Sequence, residues 1–211
     1  MIQFYTWKTP NGRKIAIMLE EIGLPYQVHA VDLTANQQFE PDFLAISPNN
    51  KIPAIVDEEQ GRENLSLFES GGILSYLAEK SGMLLPPPGS ARWSVYEWLY
   101  WSIGGLGPML GQLNFFAVRS PDKAPLAIDR FRKEGERLLH VLEKRLSSQD
   151  HIGAPDYSIA DVASYPWIAE ARTAMAEPLG EAFASSPAVN DWLSRVGERA
   201  AVKKGMRILE D

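Results

Sequence analysis

The hydrophobic positions of this chain change rhythm once. Through residue 81, short apolar runs of strand character alternate with helical stripes; beyond the proline-rich stretch at 86–89, only helical periodicity remains. Residues 2–5 form an apolar-aromatic run that predicts a strand. After Thr9-Pro10-Asn11-Gly12, residues Ile15, Met18, Leu19 and Ile22 recur at three- and four-residue spacing and share one helix face. Gly23 is placed to end that helix as a cap. Tyr26, Val28 and Ala30 alternate with Gln27 and His29, which predicts a second strand and closes a β-α-β unit. The polar stretch 34–50, punctuated by Pro41 and Pro48, predicts a loop carrying a short helix over 41–46. Residues 54–56 and 65–68 read as brief strands separated by a charged turn over 57–64. Residues 70–80 read as a helix with Ile73, Leu74 and Leu77 inward.

Pro86-Pro87-Pro88-Gly89 is stiff and cannot continue a helix, so it reads as a linker. Helices are then expected over 91–118, 126–147, 159–176, 188–199 and 201–209, with a break at Gly104-Gly105-Leu106-Gly107-Pro108. Ser158-Ile159-Ala160-Asp161 is a capping box with Asp in place of Glu, and Tyr157 and Val162 take the staple positions on either side. The organisation that follows is an α/β N-terminal domain of order βαβ-ββα over 1–84, a linker over 85–90, and an all-α helical bundle over 91–211.

Composition narrows the function classes. At 211 residues, with 45% hydrophobic and 23% charged residues, the chain has an ordinary globular makeup and can bury a real core. A formal charge of −6 without a long basic run argues against nucleic acid or an anionic membrane as main partner. No apolar stretch is long enough to span a bilayer, and residues 1–30 lack a secretory signal pattern, so a cytoplasmic location is expected. Asn64-Leu65-Ser66 matches a glycosylation sequon and, without secretion, reads as chance. The chain has no cysteine, which removes disulfides, thiolate metal sites and a protein thiol nucleophile together. His29, His140 and His151 lack metal-ligand spacing, so no metal site is expected. Any redox chemistry must be carried by a bound small molecule.

Three loop-to-element junctions carry the candidate chemistry. Thr9–Lys14 joins the first strand to the first helix, the place where thioredoxin-like domains put a Cys-x-x-Cys at a helix N-terminus. Here the turn offers a hydroxyl and an amide, donors suited to holding a thiolate that belongs to a ligand. The plainer readings are that Thr9 caps the helix with Pro10 at its first position, or that Asn-Gly makes a hairpin turn. Ile52-Pro53 precedes a strand. A cis bond there would turn the preceding backbone outward toward a peptide ligand, whereas a trans proline would simply begin an edge strand. Glu69-Ser70 opens a helix, where the serine and the helix N-terminus suit a carboxylate and Glu69 an ammonium, or where the pair is only a cap.

Residues 47–57, Ser-Pro-Asn-Asn-Lys-Ile-Pro-Ala-Ile-Val-Asp, and 67–77, Leu-Phe-Glu-Ser-Gly-Gly-Ile-Leu-Ser-Tyr-Leu, closely resemble the glutathione-binding segments of glutathione S-transferases. Thr9-Pro10-Asn11-Gly12-Arg13-Lys14 and the run 101–112 resemble those of the nu class. That class includes bacterial disulfide-bond oxidoreductases and the transferase-like domain of a yeast nitrogen regulator. The resemblance covers essentially the whole chain and implies a thioredoxin-like first domain. It implies that Glu69 and Ser70 hold the γ-glutamyl head of glutathione, that the backbone of Ile52 beside cis Pro53 pairs with the cysteinyl part, and that Gln38 and Lys51 lie toward the glycyl end. It places Thr9 and Asn11 by the sulfur as catalytic donors, and Arg130 within reach of a second glutathione. Tyr5 falls inside the first strand and is not assigned as catalytic. The implied activity is glutathione-dependent reduction of a small disulfide, with glutathione or its disulfide as the bound co-substrate and no metal. The alternatives are transfer to electrophiles, reduction of organic peroxides, and a non-catalytic glutathione-binding module. The same resemblance and the aromatic density of 93–116 imply a homodimer. In it, the first domain of each copy meets the second domain of its partner, and part of the aromatic region walls the co-substrate.

Overall fold

The computed structural model describes residues 1–58 and 63–210; the middle half of the turn expected over 57–64 lies outside them. The chain forms two compact units, Met1–Leu85 together with Arg199–Asp211, and Pro86–Glu198.

The first unit is built on strands β1 (Ile2–Thr6), β2 (Tyr26–Ala30), β3 (Ala54–Asp57) and β4 (Leu65–Phe68), in the spatial order β2-β1-β3-β4. Helices α1 (Pro10–Ile22), α2 (Pro41–Ile46) and α3 (Ser70–Ser81) connect or follow them. β1 and β2 run parallel through the α1 crossover, and β3 and β4 are antiparallel to their neighbours. α1 buries Ile15, Met18 and Leu19 and ends at Gly23, whose φ of 66° lets its N–H reach the Leu19 carbonyl at 3.0 Å. Ile73, Leu74 and Leu77 of α3 are fully buried. The helix α10 (Ala200–Met206), expected to close the helical bundle, instead belongs to this unit and packs along α1. The approach is close because Gly205 has no side chain: a Cβ there would lie 2.5 Å from the backbone nitrogen of Ile17. Arg199 pairs with Glu21 at 2.7 Å and Lys204 with Glu20 at 2.9 Å.

The second unit is helical among its described residues: α4 (Ser90–Trp101), α5 (Gly107–Leu113), α6 (Pro125–Leu146), α7 (Ile159–Ala174), α8 (Ala176–Ala184) and α9 (Pro187–Gly197). Two features depart from expectation. The glycine-rich run does not break the helix: Ser102–Leu106 widens into a π-helical turn, and the Gly107 N–H donates to the Ser102 carbonyl five residues back. Pro108 has no N–H to place, so the wider turn carries the chain past it without losing helical geometry. The glycines also make room for the Trp167 ring, whose Nε1 lies 2.9 Å from where a Gly107 Cβ would stand. The second departure is α8, a separate helix between the stretches expected at 159–176 and 188–199, set off by a turn at Met175 with φ −113°.

The capping box at the start of α7 forms and extends beyond itself. Asp161 is fully buried and accepts from the Ser158 N–H and hydroxyl, both at 3.1 Å, from the Ile152 N–H at 2.9 Å, and from Trp192 Nε1 of α9 at 3.0 Å.

Candidate functional site

Strand register decides which loops meet. Tyr5 of β1 pairs with Ala54 of β3, which in turn pairs with Phe68 of β4, while Thr6 pairs with Ala30 of β2. The end of β1, the end of β2, the start of β3 and the end of β4 therefore lie at one edge of the sheet. Thr9 and Asn11, Gln38, Lys51 to Pro53, and Glu69 with Ser70 all sit in the segments leaving that edge. Arg130 belongs to the other unit, exposed on α6 beside a cleft lined by Met109, Leu126 and Phe131 together with Lys133, Glu134 and Arg137.

Thr9 is the N-cap of α1. It is extended at φ −128°, its Oγ1 accepts the Gly12 N–H at 3.2 Å, and Pro10 opens the helix. The cap uses a lone pair and leaves the hydroxyl proton available, so capping and donation to a ligand are compatible uses of one side chain. Gly12 is dictated by space: a Cβ there would stand 2.3 Å from Thr6 Oγ1 and 2.4 Å from the Trp7 carbonyl oxygen. Asn11 follows in the first helical turn.

Gln38 sits in a 3-10 turn over Gln37–Phe39, on a loop tied down by Asp32. The Asp32 carboxylate accepts from the Thr34 N–H at 2.8 Å and hydroxyl at 2.7 Å, and these bonds lower its pKa. Gln38 Oε1 is buried without a hydrogen-bond partner, an acceptor left open at the candidate site. Ile52 is 9% exposed and packs with Val31, Phe43 and Ala54, while Lys51 beside it is exposed. The Ile52–Pro53 bond is cis. Ser47 holds this turn from behind, its hydroxyl donating to the Lys51 carbonyl at 2.9 Å. Tyr5 lies in β1, stacked on His29 at 4.7 Å, a packing role.

Glu69 precedes α3 with φ 69°, a left-handed value uncommon outside glycine, and makes no side-chain cap. Its carboxylate accepts from Asn49 Nδ2 at 3.4 Å. Ser70, 7% exposed, opens the helix. Neither α1 nor α3 carries an acidic residue inside its first turn, so the positive end of α1 keeps its field for a ligand, while at α3 the N-cap residue is Glu69 itself.

The sequence reading gave no separate role to Lys14. It is 1% exposed, and burial pushes its ammonium down to about 7, with the Glu69 carboxylate opposing that shift in part. The available signal was a lysine four residues before Met18, on the apolar face of α1. Among the described residues, no group of three or more His, Asp or Glu side chains is arranged to hold a metal ion.

The unpaired Gln38 acceptor, two helix N-termini and the Glu69–Ser70 pair fit a zwitterionic, carboxylate-bearing peptide such as glutathione. Residues 1–79 match the glutathione S-transferase N-terminal domain and residues 107–200 its C-terminal domain. The chain is 48% identical to the disulfide-bond oxidoreductase YfcG of Escherichia coli, over 98% of this chain and 94% of that one. It is 38% identical to the disulfide-bond oxidoreductase YghU of the same organism, over 97% and 73%. A glutathione transferase from Pseudomonas putida, solved with one glutathione disulfide per subunit, superposes with a TM-score of 0.93 at 42% identity, covering 99% and 91%. One from Pseudomonas fluorescens, solved with two glutathiones bound, gives 0.91 at 43%, covering 97% and 92%. With both domain families matched and near full-length relatives well above 30% identity, the chain belongs to the glutathione S-transferase family.

Proposed function

We propose that this protein is a glutathione-dependent disulfide-bond reductase of the nu class. The observation that carries the reading is a helix N-terminus lined by hydrogen-bond donors, standing where the fold's redox thiol would be, in a chain with no cysteine. Bound glutathione supplies the nucleophilic thiol and the electrons. Overall, two glutathione thiols and one disulfide become glutathione disulfide and two thiols, so electrons and protons balance. The protein's own residues bind and orient. Ser70 and the α3 N-terminus take the α-carboxylate of the γ-glutamyl head, and Glu69 its ammonium. Ile52, beside Pro53, pairs with the cysteinyl backbone, and Gln38 and Lys51 serve the glycyl end. The Thr9 hydroxyl proton, Asn11 and the positive end of α1 stabilise a thiolate, and Arg130 serves a second glutathione. The relatives named as disulfide-bond oxidoreductases and the neighbour holding glutathione disulfide support this reading. Because the proposed reaction consumes reduced glutathione, a cytoplasmic location is proposed with it.

The test is a panel with a small disulfide, an aromatic chloride and an organic peroxide as alternative co-substrates. Disulfide reduction is expected to dominate and to survive thiol alkylation of the glutathione-free protein. Thr9→Ala and Asn11→Ala are expected to lower it partially and the double variant further, with residual turnover from backbone N–H groups. Ser70→Ala is expected to weaken glutathione binding by about one to two decades, the loss of a charge-assisted hydrogen bond. Wild-type disulfide reduction in a folded, glutathione-binding double variant would overturn the thiolate role. Dominant transfer or peroxidase activity would favour the related enzymes, and binding without turnover would indicate a binding module.

The protein is also proposed to work as a homodimer, the first unit of one copy against the second unit of its partner. Trp93 and Tyr100 of α4 are 68% and 66% exposed, in a stripe with Tyr96, and Leu65 and Phe68 leave apolar surface on the edge strand β4. Sedimentation at micromolar concentration is expected to give twice the chain mass; a monomer would refute it.

A further inference from the structure

Lys14 is the least expected charge in the first unit. Its side chain is 1% exposed, and no hydrogen bond or close ion pair reaches its ammonium among the described residues. The charge that acts on it is the Glu69 carboxylate at the start of α3. The other ionisable groups nearby are engaged elsewhere. On the α10 side, Glu210 bonds Arg13 at 3.2 Å, while Lys204 and Arg199 hold Glu20 and Glu21. Further along α3, Lys80 and Tyr76 hold Asp57 at 2.7 and 2.5 Å. In the sheet, Tyr5 and His29 stack on each other. Glu69 for its part has an uncommon backbone conformation and a weak hold, the 3.4 Å bond from Asn49. A buried cation without a hydrogen-bond partner among the described residues thus feels the charge of an exposed carboxylate that little else orients.

We propose that Lys14 is a positioning residue of the head-group subsite: its ammonium orients the Glu69 carboxylate, and an α-amino acid head group binds the form in which Lys14 is charged. This rests on the reading that the γ-glutamyl end of glutathione occupies the Glu69–Ser70 corner. The charges then alternate: Lys14 positive, Glu69 negative, ligand ammonium positive, ligand carboxylate negative, α3 N-terminus positive. With Lys14 neutral, the full charges of the set sum to one negative, offset only by the partial positive charge of the α3 N-terminus, next to the buried Lys14 and Ser70. Because burial brings the Lys14 ammonium to about 7 in the ligand-free site, binding above that pH draws a proton onto it.

The probe is S-methylglutathione, whose blocked thiol cannot titrate, measured by calorimetry from pH 6.5 to 8.2 in two buffers of different ionisation enthalpy. Wild-type protein is expected to take up a fraction of a proton on binding, and its affinity is expected to fall about fivefold from pH 7 to pH 8. Lys14→Met should bind more weakly, with a flat profile and no uptake. Lys14→Arg, which stays charged, should recover affinity while remaining flat. Thermal melts confirm that each variant is folded, and Lys14→Gln replaces the methionine variant if that one is not. Equal pH slopes in wild type and Lys14→Met, or proton release on binding, would overturn the role of Lys14 alone. Failure of the wild type to bind the probe at any pH would overturn the glutathione reading with it.

Discussion

Lys14→Met is expected to be more stable than the wild type near pH 6.5, and the gain should shrink steadily toward pH 10. Lysine normally ionises at 10.5, and burial brings Lys14 down to about 7. Between those values the unfolded chain holds a proton that the folded chain has released, so wild-type stability rises with pH across that window. Below about 7 both states are protonated at this position, and the folded state carries the whole desolvation penalty. The distance between the two values corresponds to a penalty on the order of 5 kcal/mol, an upper bound on the gain. Methionine occupies a similar volume without charge, and replacing a buried ion by a packed hydrophobe is commonly neutral or stabilising. Denaturant unfolding at pH 6.5 and 9.5 reads the difference directly. A variant no more stable than wild type at pH 6.5, or one whose gain grows with pH, would show that Lys14 is not held as a desolvated cation. A residue that costs the fold this much and weakens the ligand when removed would be a stability sacrifice made for binding.

Asp161→Ala is expected to cost about 3–5 kcal/mol, lowering the melting temperature by roughly 10 °C in a chain of this size. The carboxylate is fully buried and accepts from the Ile152 N–H, the Ser158 N–H and hydroxyl, and Trp192 Nε1. Removing it leaves these donors in the interior with no acceptor in place, and severs one group that ties the loop before α7, the first turn of α7 and helix α9 together. Trp192→Phe, which deletes a single donor, should cost about 1 kcal/mol and acts as the internal comparison. Asn at position 161 keeps one acceptor oxygen and should fall between. Thermal unfolding of the three variants decides the order; an alanine variant as mild as Trp192→Phe would mean that water replaces the carboxylate at little cost.

The elements were legible wherever a local rule was sufficient. The stripe Ile15, Met18, Leu19 with Gly23, the alternation of 26–30 and the capping box are short-range patterns, and each forms as its residues require. The candidate site residues were also legible as types, because donors before a helix and a Glu-Ser pair at another helix start are local features. The glycine-rich run was misread for the same reason: glycine and proline signal a break locally, whereas the Trp167 ring packed against it favours a widened helix. Bringing Thr9, Ile52 and Glu69 to one edge depends on strand order β2-β1-β3-β4, a long-range pairing that no window of sequence contains. The docking of α10 on α1 likewise depends on Gly205 meeting Ile17, residues 188 positions apart along the chain (205 − 17). The state of Lys14 lay furthest from the sequence. A lysine among apolar residues is ordinarily able to reach water with its long stem; only the packing around α1 turns it into a buried charge, whose ionisation burial pushes down and the Glu69 carboxylate partly restores.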